Sequence, residues 1–462
     1  MFEYISQMTI LLPEIFLSIS ACVLLMLGVF TKNYNFKGMN LVVGMILAIA
    51  LYFLIAKMPE TEIFVFDGLF KSNMLIVNLK SMLLCGALLY VLIYKGQRFN
   101  NDSMLKLFEF PVILLFAIVG MLLMLSSNNF LSFYVSLELQ SLCLYVLAAF
   151  EREDAKSSEA GLKYFVIGSF ASGLLLFGIS LVYGFTGNLD FDSLQTLIVH
   201  NSSQNVALGV MIGIIMLLIG LFFKVSAAPF HMWTPDVYQG SPTIVTSFFA
   251  TIVKIASVGF LLRFTVETLQ GWKLELQPIL IFVTCTSLLV GAIGALKQNN
   301  IKRLLAYSSI GHVGFMLLAI TTFMPSSAVL FYLVIYLSMT MATFAMIMGL
   351  NIVNLQDFAG LSKYNPIAAA AIAILMFSLA GIPPFAGFFA KFYVLQEAIK
   401  AELYFTVMVS IIAAVISSYY YLKIIKIMYL DEVEKELVLD VSRYTKVIIS
   451  LLVIFNLLYI LL

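Results

Sequence analysis

Long apolar runs follow one another along almost the whole chain, with short polar segments between them. A run of about 18–25 apolar residues is long enough to cross a bilayer as an α-helix. The pattern predicts fourteen such spans, and the predicted fold class is therefore an all-α polytopic membrane protein. The predicted spans are roughly 5–30, 39–57, 73–95, 107–126, 129–150, 158–185, 204–229, 243–266, 277–297, 301–322, 327–351, 366–399, 403–428 and 442–461.

Prolines interrupt two of these spans. The seventh ends in KVSAAP (224–229), and the twelfth, which is too long for one straight crossing, contains GIPP (381–384). Proline frees helix backbone groups that then need other partners, as in the broken helices of transporters. The two interrupted spans are an odd number of crossings apart and run in opposite directions, which favours two inverted five-helix repeats formed by spans 4–8 and 9–13. The predicted segments are 1–106 for the first three spans, 107–270 and 271–430 for the repeats, and 431–462 for the last span.

Composition extends the membrane prediction to the entire chain. Of 462 residues, 62% are hydrophobic and 11% are charged, whereas soluble domains average about 45–50% and about 25%. The net charge of +1 argues against a nucleic-acid partner. The cysteines stand singly in apolar runs, so neither a disulfide nor a metal or haem site is predicted. The first apolar run lacks a basic start and a cleavage site, and we interpret it as a membrane helix rather than a signal peptide.

Lysine and arginine predict the orientation. Cytoplasmic loops of membrane proteins carry an excess of these residues. If the N-terminus lies outside, most loop lysines and arginines fall on a single side. The opposite side then receives only Lys57, Lys71, Arg263, Lys273 and Lys400. Both termini are therefore predicted to lie outside the cytoplasm.

Four lysines, Lys80, Lys224, Lys254 and Lys391, lie inside predicted spans. A cation in the bilayer centre costs about 2.5–3.5 kcal/mol on insertion scales, so it normally faces a partner or water and marks an ion path. Lys80 lies near one end of its span, and we expect its long side chain to reach the interface. The other three are the candidates for an ion path.

Glu138 is the only acid in the fifth span, and Lys224 lies just before Pro229. The end of a helix before a break is negatively polarised and attracts a cation. Burial disfavours a charged amine and a nearby carboxylate favours it. Lys224 is therefore predicted to load and release a proton under the influence of Glu138, with a static ion pair as the alternative.

The remaining candidates are a second group of polar residues. Lys254 and Lys391 could continue a proton relay, or could make ordinary polar contacts between helices. His231 in APFHMW and His312 in YSSIGHVGFML could bridge lysines through water, because imidazole both donates and accepts. Lys163 follows a mixed charge cluster and could contact the same path or belong to a solvated helix cap. No set of residues has metal-ligand or nucleotide-binding spacing.

Four long motifs carry a family resemblance: GLKYFVIGSFASGLLLFGISLVYGFTG (161–187), PFHMWTPDVYQGSPT (229–243), IKRLLAYSSIGHVGFMLLA (301–319) and LAGIPPFAGFFAKFYV (379–394). They closely resemble subunit N of the bacterial proton-pumping NADH–quinone oxidoreductase, respiratory complex I, along essentially the whole chain. WTPDVYQGSPT resembles subunit N rather than the related subunits M and L. Lys391 stands where subunit M usually has glutamate.

The resemblance implies a proton relay of Glu138, Lys224, Lys254 and Lys391, with His312 as a histidine of the tenth helix. It implies no cofactor in this subunit, since FMN, iron–sulfur clusters and quinone belong to other subunits of the complete complex. It also implies subunit M and a K-type subunit as neighbours, a bacterial inner membrane location, and no redox catalysis by this chain alone.

Two alternatives stay open. A cation/proton antiporter of the Mrp type or a membrane-bound hydrogenase could use the same fold. The chain could also be a structural subunit that seals the membrane arm without pumping.

Overall fold

Helices form nearly all of the described structure. The computed structural model describes residues 9–30, 36–59, 61–96, 104–199, 204–324, 327–432 and 438–459. Residues 5–8 of the first predicted span and 460–461 of the last lie outside these ranges. The prediction of an all-α membrane fold is confirmed, because twelve of the described helices are long and apolar enough to cross a bilayer.

Every predicted span contains helix. The bounds are Leu12–Phe30, Phe36–Ala56, Met74–Lys95, Glu109–Ser126, Phe130–Ala148, Ala155–Thr186, Gln204–Val225, Thr243–Ala250 continued by Ile252–Arg263, Lys273–Ala295, Ile301–Ile320, Ser327–Leu350, Pro366–Ala380 continued by Ala386–Lys400, Tyr404–Leu430 and Arg443–Leu458. The eighth span ends in a π-helical turn, Phe264–Thr268. These elements keep the numbers of the predicted spans below.

Several short elements between the spans were not predicted. An antiparallel hairpin pairs Ile63–Val65 with Phe70–Ser72, and we call it the hairpin. Short helices cover Phe191–Val199 and Trp233–Gly240. A search for bilayer-length apolar runs cannot detect elements of this size, because their length and composition match those of ordinary loops.

Within the described ranges three spans are interrupted, one more than predicted. The seventh helix ends at Val225, before Pro229, and the next residue, Ser226, has φ +64. The twelfth ends at Ala380, followed by Gly381 with φ +81. The unpredicted break in the eighth span is at Thr251, whose hydroxyl donates to the Ser247 carbonyl at 2.6 Å. A threonine hydroxyl can take over a helix carbonyl in this way and disturb the helix locally.

The chain divides into two compact units. Unit 1 comprises Met1–Lys95, Phe99–Val225 and Ile252–Lys273, and unit 2 comprises Gly96–Arg98, Ser226–Thr251 and Leu274–Leu462. The segment between the seventh-span break and the eighth-span break thus belongs to unit 2. The assignment of segments 107–270 and 271–430 as inverted repeats stays a prediction.

In unit 1, small residues bring the sixth and seventh spans close together. A Cβ atom on Gly178 would meet the Gly213 carbonyl oxygen, and a Cβ atom on Gly213 would meet the Gly178 carbonyl oxygen. Small residues allow membrane helices to pack at backbone distance. This packing holds the seventh span, and with it Lys224 near its end, against the sixth.

Lys80 does not reach the interface as expected. Its side chain is 3% exposed and forms an ion pair with Glu14 of the first span, whose side chain is 2% exposed. The expectation was wrong because the partner comes from a helix 66 residues away in sequence. A buried cation is tolerated where an anion meets it directly.

Candidate functional site

Lys224 is buried in unit 1 and donates to hydroxyl groups. Its Nζ lies 2.7 Å from Ser141 Oγ and 3.4 Å from Tyr145 Oη, both on the fifth span. The ammonium also lies 5.6 Å from the centroid of the Tyr145 ring, within the range of a cation–π interaction. Neutral hydroxyls solvate the ammonium without fixing its charge, so the site can hold Lys224 in either protonation state.

Glu138 lies one helical turn before Ser141. Within the described residues no ion pair joins it to Lys224, and Glu138 Oε1 is buried without a hydrogen bond. The static ion pair considered above is therefore absent from the described contacts. Ser141 occupies the position next to the ammonium instead.

Lys254 binds the end of the interrupted seventh helix. The side chain is 1% exposed, and its Nζ donates to the Val225 carbonyl at 2.6 Å. The last carbonyls of a helix lack partners within that helix and carry its negative partial charge. The sequence suggested that the break would attract Lys224, whereas the structure places Lys254 on the terminal carbonyl.

Lys391 makes the corresponding contact in unit 2. Its Nζ donates to the carbonyls of Leu379 and Ala380, at 3.1 and 2.7 Å, at the end of the first half of the twelfth span. Gly381 is required here, because its φ is positive and a Cβ atom would collide with the Lys391 side chain. In both units, a buried lysine thus binds the carbonyl end of an interrupted helix.

His312 lies next to Lys391 on one small cavity. The cavity has a volume of about 10 Å³, which is about enough for one ordered water molecule. His312 Nδ1 lies 2.7 Å from Tyr332 Oη, and Nε2 lies 3.4 Å from Tyr421 Oη. A neutral imidazole accepts at one nitrogen and donates at the other, so a proton can enter on one side of the ring and leave on the other.

Hydroxyl groups extend this group of residues, and sequence reasoning missed most of them. Tyr421 Oη lies 2.5 Å from Ser308 Oγ, and Tyr336 Oη donates to Ser309 Oγ at 3.0 Å. Tyrosines are frequent in apolar spans, and no local pattern distinguishes those that face a histidine. The usable signal was Ser308-Ser309 one turn before His312 on the same helix.

The twelfth and fourteenth spans also share a buried polar contact. Asn456 is 0% exposed, accepts from Ser378 Oγ at 2.9 Å and donates to Ser338 Oγ at 3.0 Å. Gly387 N, after the break, donates to the same Ser378 oxygen at 3.1 Å. These bonds support both halves of the interrupted twelfth span.

Two predicted relay residues lie away from the buried lysines' contacts. The Lys163 side chain is 42% exposed and pairs with Glu159 on its own helix at 2.8 Å. Exposed pairs of this kind contribute little to stability.

His231 lies half-buried in the turn before Trp233–Gly240. The Ala228 backbone in the same turn is held by Thr286 and Ser287 of the ninth span, each at 2.8 Å.

Two of the sequence motifs contact each other in unit 2. Arg303 Nη1 lies 2.5 Å from Asp236 Oδ1, and Lys302 Nζ donates to the Ser241 carbonyl at 2.7 Å. Asp236 and Ser241 belong to WTPDVYQGSPT, and Lys302 and Arg303 belong to IKRLLAYSS. These residues anchor the segment that follows the seventh-span break.

A metal centre finds no support in the described part of the chain, where no three His, Cys, Asp or Glu side chains group as ligands. Cys22, Cys85, Cys143 and Cys285 are all unpaired. The candidate site consists instead of amines, hydroxyls, an imidazole and helix-end carbonyls. Such groups suit the transfer of protons rather than of electrons.

Comparison with known proteins identifies the family. A family model described as "NADH:quinone oxidoreductase/Mrp antiporter, TM" matches residues 126–417. NADH-quinone oxidoreductase subunit N of Rhodospirillum rubrum is 45% identical over 437 residues, covering 92% of this chain and 88% of that protein. This chain belongs to the NADH-quinone oxidoreductase subunit N family. The Rhizobium meliloti protein named NADH-quinone oxidoreductase subunit N 1 is 43% identical over 93% of the chain and 89% of its own length.

Solved structures agree with this assignment. A chain of respiratory complex I from Thermus thermophilus is 32% identical, with a TM-score of 0.81 over 97% of this chain and 98% of its own. A chain of the Mrp complex from Dietzia has a TM-score of 0.82 over 100% of this chain and 95% of its own, but is only 19% identical. The similarity to the Dietzia chain shows the fold alone, whereas the Thermus thermophilus chain also agrees with the family.

Proposed function

We propose that this chain is a proton-translocating membrane subunit of an NADH–quinone oxidoreductase, a translocase in which quinone reduction takes place in other subunits. The observation that carries the proposal is the placement of Lys254 and Lys391, each on the carbonyl end of an interrupted helix, together with Lys224 on neutral hydroxyls. Buried amines held by neutral groups can exchange protons without leaving an opposite charge unpaired.

The proposed route begins at Lys224, with Glu138 modulating its charge, and proceeds to Lys254. It continues in unit 2 to Lys391 and His312. A shift in the negative charge near Lys224 would change its proton affinity, since a nearby carboxylate favours the ammonium form. Redox energy would reach the chain through neighbouring membrane subunits, including those of the M and K types.

The redox groups of the complete complex, FMN, iron–sulfur clusters and quinone, are proposed to be bound by companion subunits. The donor set of this chain supports that proposal, because its cysteines are isolated along apolar helices. We further propose a bacterial inner membrane location with both termini outside the cytoplasm, supported by the distribution of loop lysines and arginines.

Removing the Tyr421 hydroxyl tests the histidine relay in unit 2. Tyr421→Phe is expected to slow proton-coupled turnover several-fold, because His312 Nε2 and Ser308 lose their shared partner. Assembly should persist, since one hydrogen bond contributes only about 0.5–1.5 kcal/mol. Tyr419→Phe on the same helix is the control, as Tyr419 is 60% exposed. Proton uptake and quinone reduction are measured together in membrane vesicles, and wild-type rates in Tyr421→Phe would exclude this hydroxyl from the route.

Purification of a tagged chain from its host membranes separates the alternatives. We expect companion subunits that bind NADH and quinone to co-purify with it. Recovery with only cation-antiporter subunits, or with a nickel-containing hydrogenase subunit, would contradict the proposed function. The identity of the proteins is read by mass spectrometry, with an untagged strain as the control.

A further inference from the structure

Five buried phenylalanines of unit 1 pack against one another, and we call them the phenylalanine cluster: Phe130, Phe133, Phe191, Phe260 and Phe264. Their ring centroids lie 4.2 to 6.2 Å apart in the contacting pairs. Each side chain is at most 3% exposed. The cluster is therefore a continuous apolar layer joining the fifth span, the eighth span and the short helix Phe191–Val199.

The phenylalanine cluster lies between the buried polar residues and the hairpin. On the fifth span, the two cluster residues precede Glu138 and Ser141 in sequence. Just before the cluster residues, the backbone N–H of Asn128 donates to the Leu69 carbonyl of the hairpin at 2.9 Å. On the eighth span, the cluster residues follow Lys254, with Phe260 about 9 Å further along the helix axis. Along both helices, in the direction of the hairpin, the residues near the buried lysines come first, the phenylalanine rings come next, and the hairpin end comes last.

The seventh span offers no alternative polar path beside this layer. Its residues 206–223 read VALGVMIGIIMLLIGLFF, with no polar side chain before Lys224. Between residues 206 and 223 of this helix, a chain of hydrogen bonds toward the hairpin end therefore finds no side-chain donor or acceptor.

Arg263 lies on the eighth span between the cluster residues Phe260 and Phe264. It is buried rather than in the outer loop that the charge pattern suggested. Its residue exposure is 2%. Nη1 donates to the carbonyls of Leu125 and Ser127 at 2.8 and 2.7 Å, and Nε donates to Glu267 at 2.9 Å. The guanidinium thereby binds the end of the fourth span.

Around Arg263, the cationic side chains are less exposed than the carboxylates with which they pair. Lys71, with a side chain 7% exposed, pairs with Glu62 at 2.8 Å and with Glu267 at 3.6 Å. The carboxylate side chains are more exposed, at 46% for Glu62 and 21% for Glu267. The two cations are therefore more deeply buried than the carboxylates that pair with them.

We propose that the phenylalanine cluster and Arg263 form a proton barrier that closes the hairpin end of unit 1. The rings provide no hydrogen-bonding positions for a file of water, and the fixed cation repels hydronium. Hydrophobic constrictions and a pore arginine exclude ions and protons by the same physics in channels. Protons held at Lys224 and Lys254 then cannot escape at this end, and a route out of unit 1 must begin elsewhere.

The test measures passive proton leak. Purified complex in liposomes with a trapped pH-sensitive dye is given a pH gradient without substrates, with potassium and valinomycin present to remove the membrane potential. Arg263→Gln should dissipate the gradient several-fold faster than wild type, because the cation is lost while an amide donor remains for the carbonyls. Arg263→Lys keeps the charge and should hold the gradient.

A second pair of variants tests the barrier without replacing Arg263, so the result does not depend on whether the Arg263 variants fold normally. Phe133→Gln introduces a polar group into the layer and should leak, whereas Phe133→Leu keeps it apolar and should not. Gradients as stable as wild type in assembled Arg263→Gln and Phe133→Gln would overturn the proposal. Equal leaks in Phe133→Leu and Phe133→Gln would also overturn it, since loosened packing would then be the cause.

The barrier rests on the proposed proton route, but its test is separate. The leak is measured without turnover, so intact gradients would refute the barrier and leave the pumping role standing. A wild-type proton-to-electron ratio in Lys224 variants would instead refute the pumping role.

Discussion

Replacing Lys224 with Arg is expected to stop proton translocation through this chain as completely as replacing it with Ala. Arg keeps the positive charge and can still donate to Ser141 and Tyr145, but it cannot release its proton. Positioned proton-transfer groups contribute on the order of 10²–10⁴-fold to rates, so the flux through this chain should fall by about 10²-fold or more. The measurement is the number of protons translocated per electron pair by the assembled complex in liposomes.

The Arg variant distinguishes a proton carrier from a static counter-ion. If Lys224 served only as a fixed charge, Lys224→Arg would retain the wild-type ratio while Lys224→Ala lost it, and the proposal would fail. Lys297→Arg is the matched control, because Lys297 is exposed and should tolerate the same replacement. Equal levels of assembled complex must be verified for every variant.

Breaking the buried Glu14–Lys80 pair is expected to have the largest effect on stability. Removing one partner of a buried pair typically costs about 3–5 kcal/mol, whereas replacing both with apolar residues is often neutral. Glu14→Met and Lys80→Met should each lower the midpoint temperature of thermal unfolding and the amount of assembled complex. The double variant should recover most of both losses.

This double-mutant cycle also asks whether Lys80 belongs to the proton path. The double variant is expected to translocate the wild-type number of protons per electron pair, since the pair is a contact between the first and third spans. Additive losses of stability in the double variant would show that the two residues do not act as a pair. A lowered proton ratio with intact assembly would place Lys80 on the path.

Which spans exist could be predicted from the sequence, because a helix in a bilayer satisfies its backbone within itself and needs only sufficient apolar length. The break before Gly381 was also predictable, since proline marks it. The break at Thr251 was not, because a threonine that accepts or donates within its own helix has no distinctive local pattern. The hairpin and the short helices were too small for the same criterion to detect.

The partners of the buried charges were predicted less well. Lys80 was expected at the interface and Arg263 in a loop, yet both are buried against residues far away in sequence. Lys224 was paired with Glu138, whereas its hydrogen bonds go to Ser141 and Tyr145 on the same helix. Ser141 and Tyr145 follow Glu138 by about one and two helical turns. The hydropathy pattern does not show which of these side chains contacts the ammonium group.

The sequence by itself determined the all-α membrane fold, the order of the helical segments, the positions of the intramembrane lysines and the family. These properties depend on apolar length, on single residues and on long motifs, all of which are local. Only the tertiary structure decided that Lys254 and Lys391 bind the carbonyl ends of interrupted helices, that His312 lies between two tyrosines, and that Arg263 is buried. Each of these contacts joins residues brought together by packing, and its energy depends on distances that no local pattern contains.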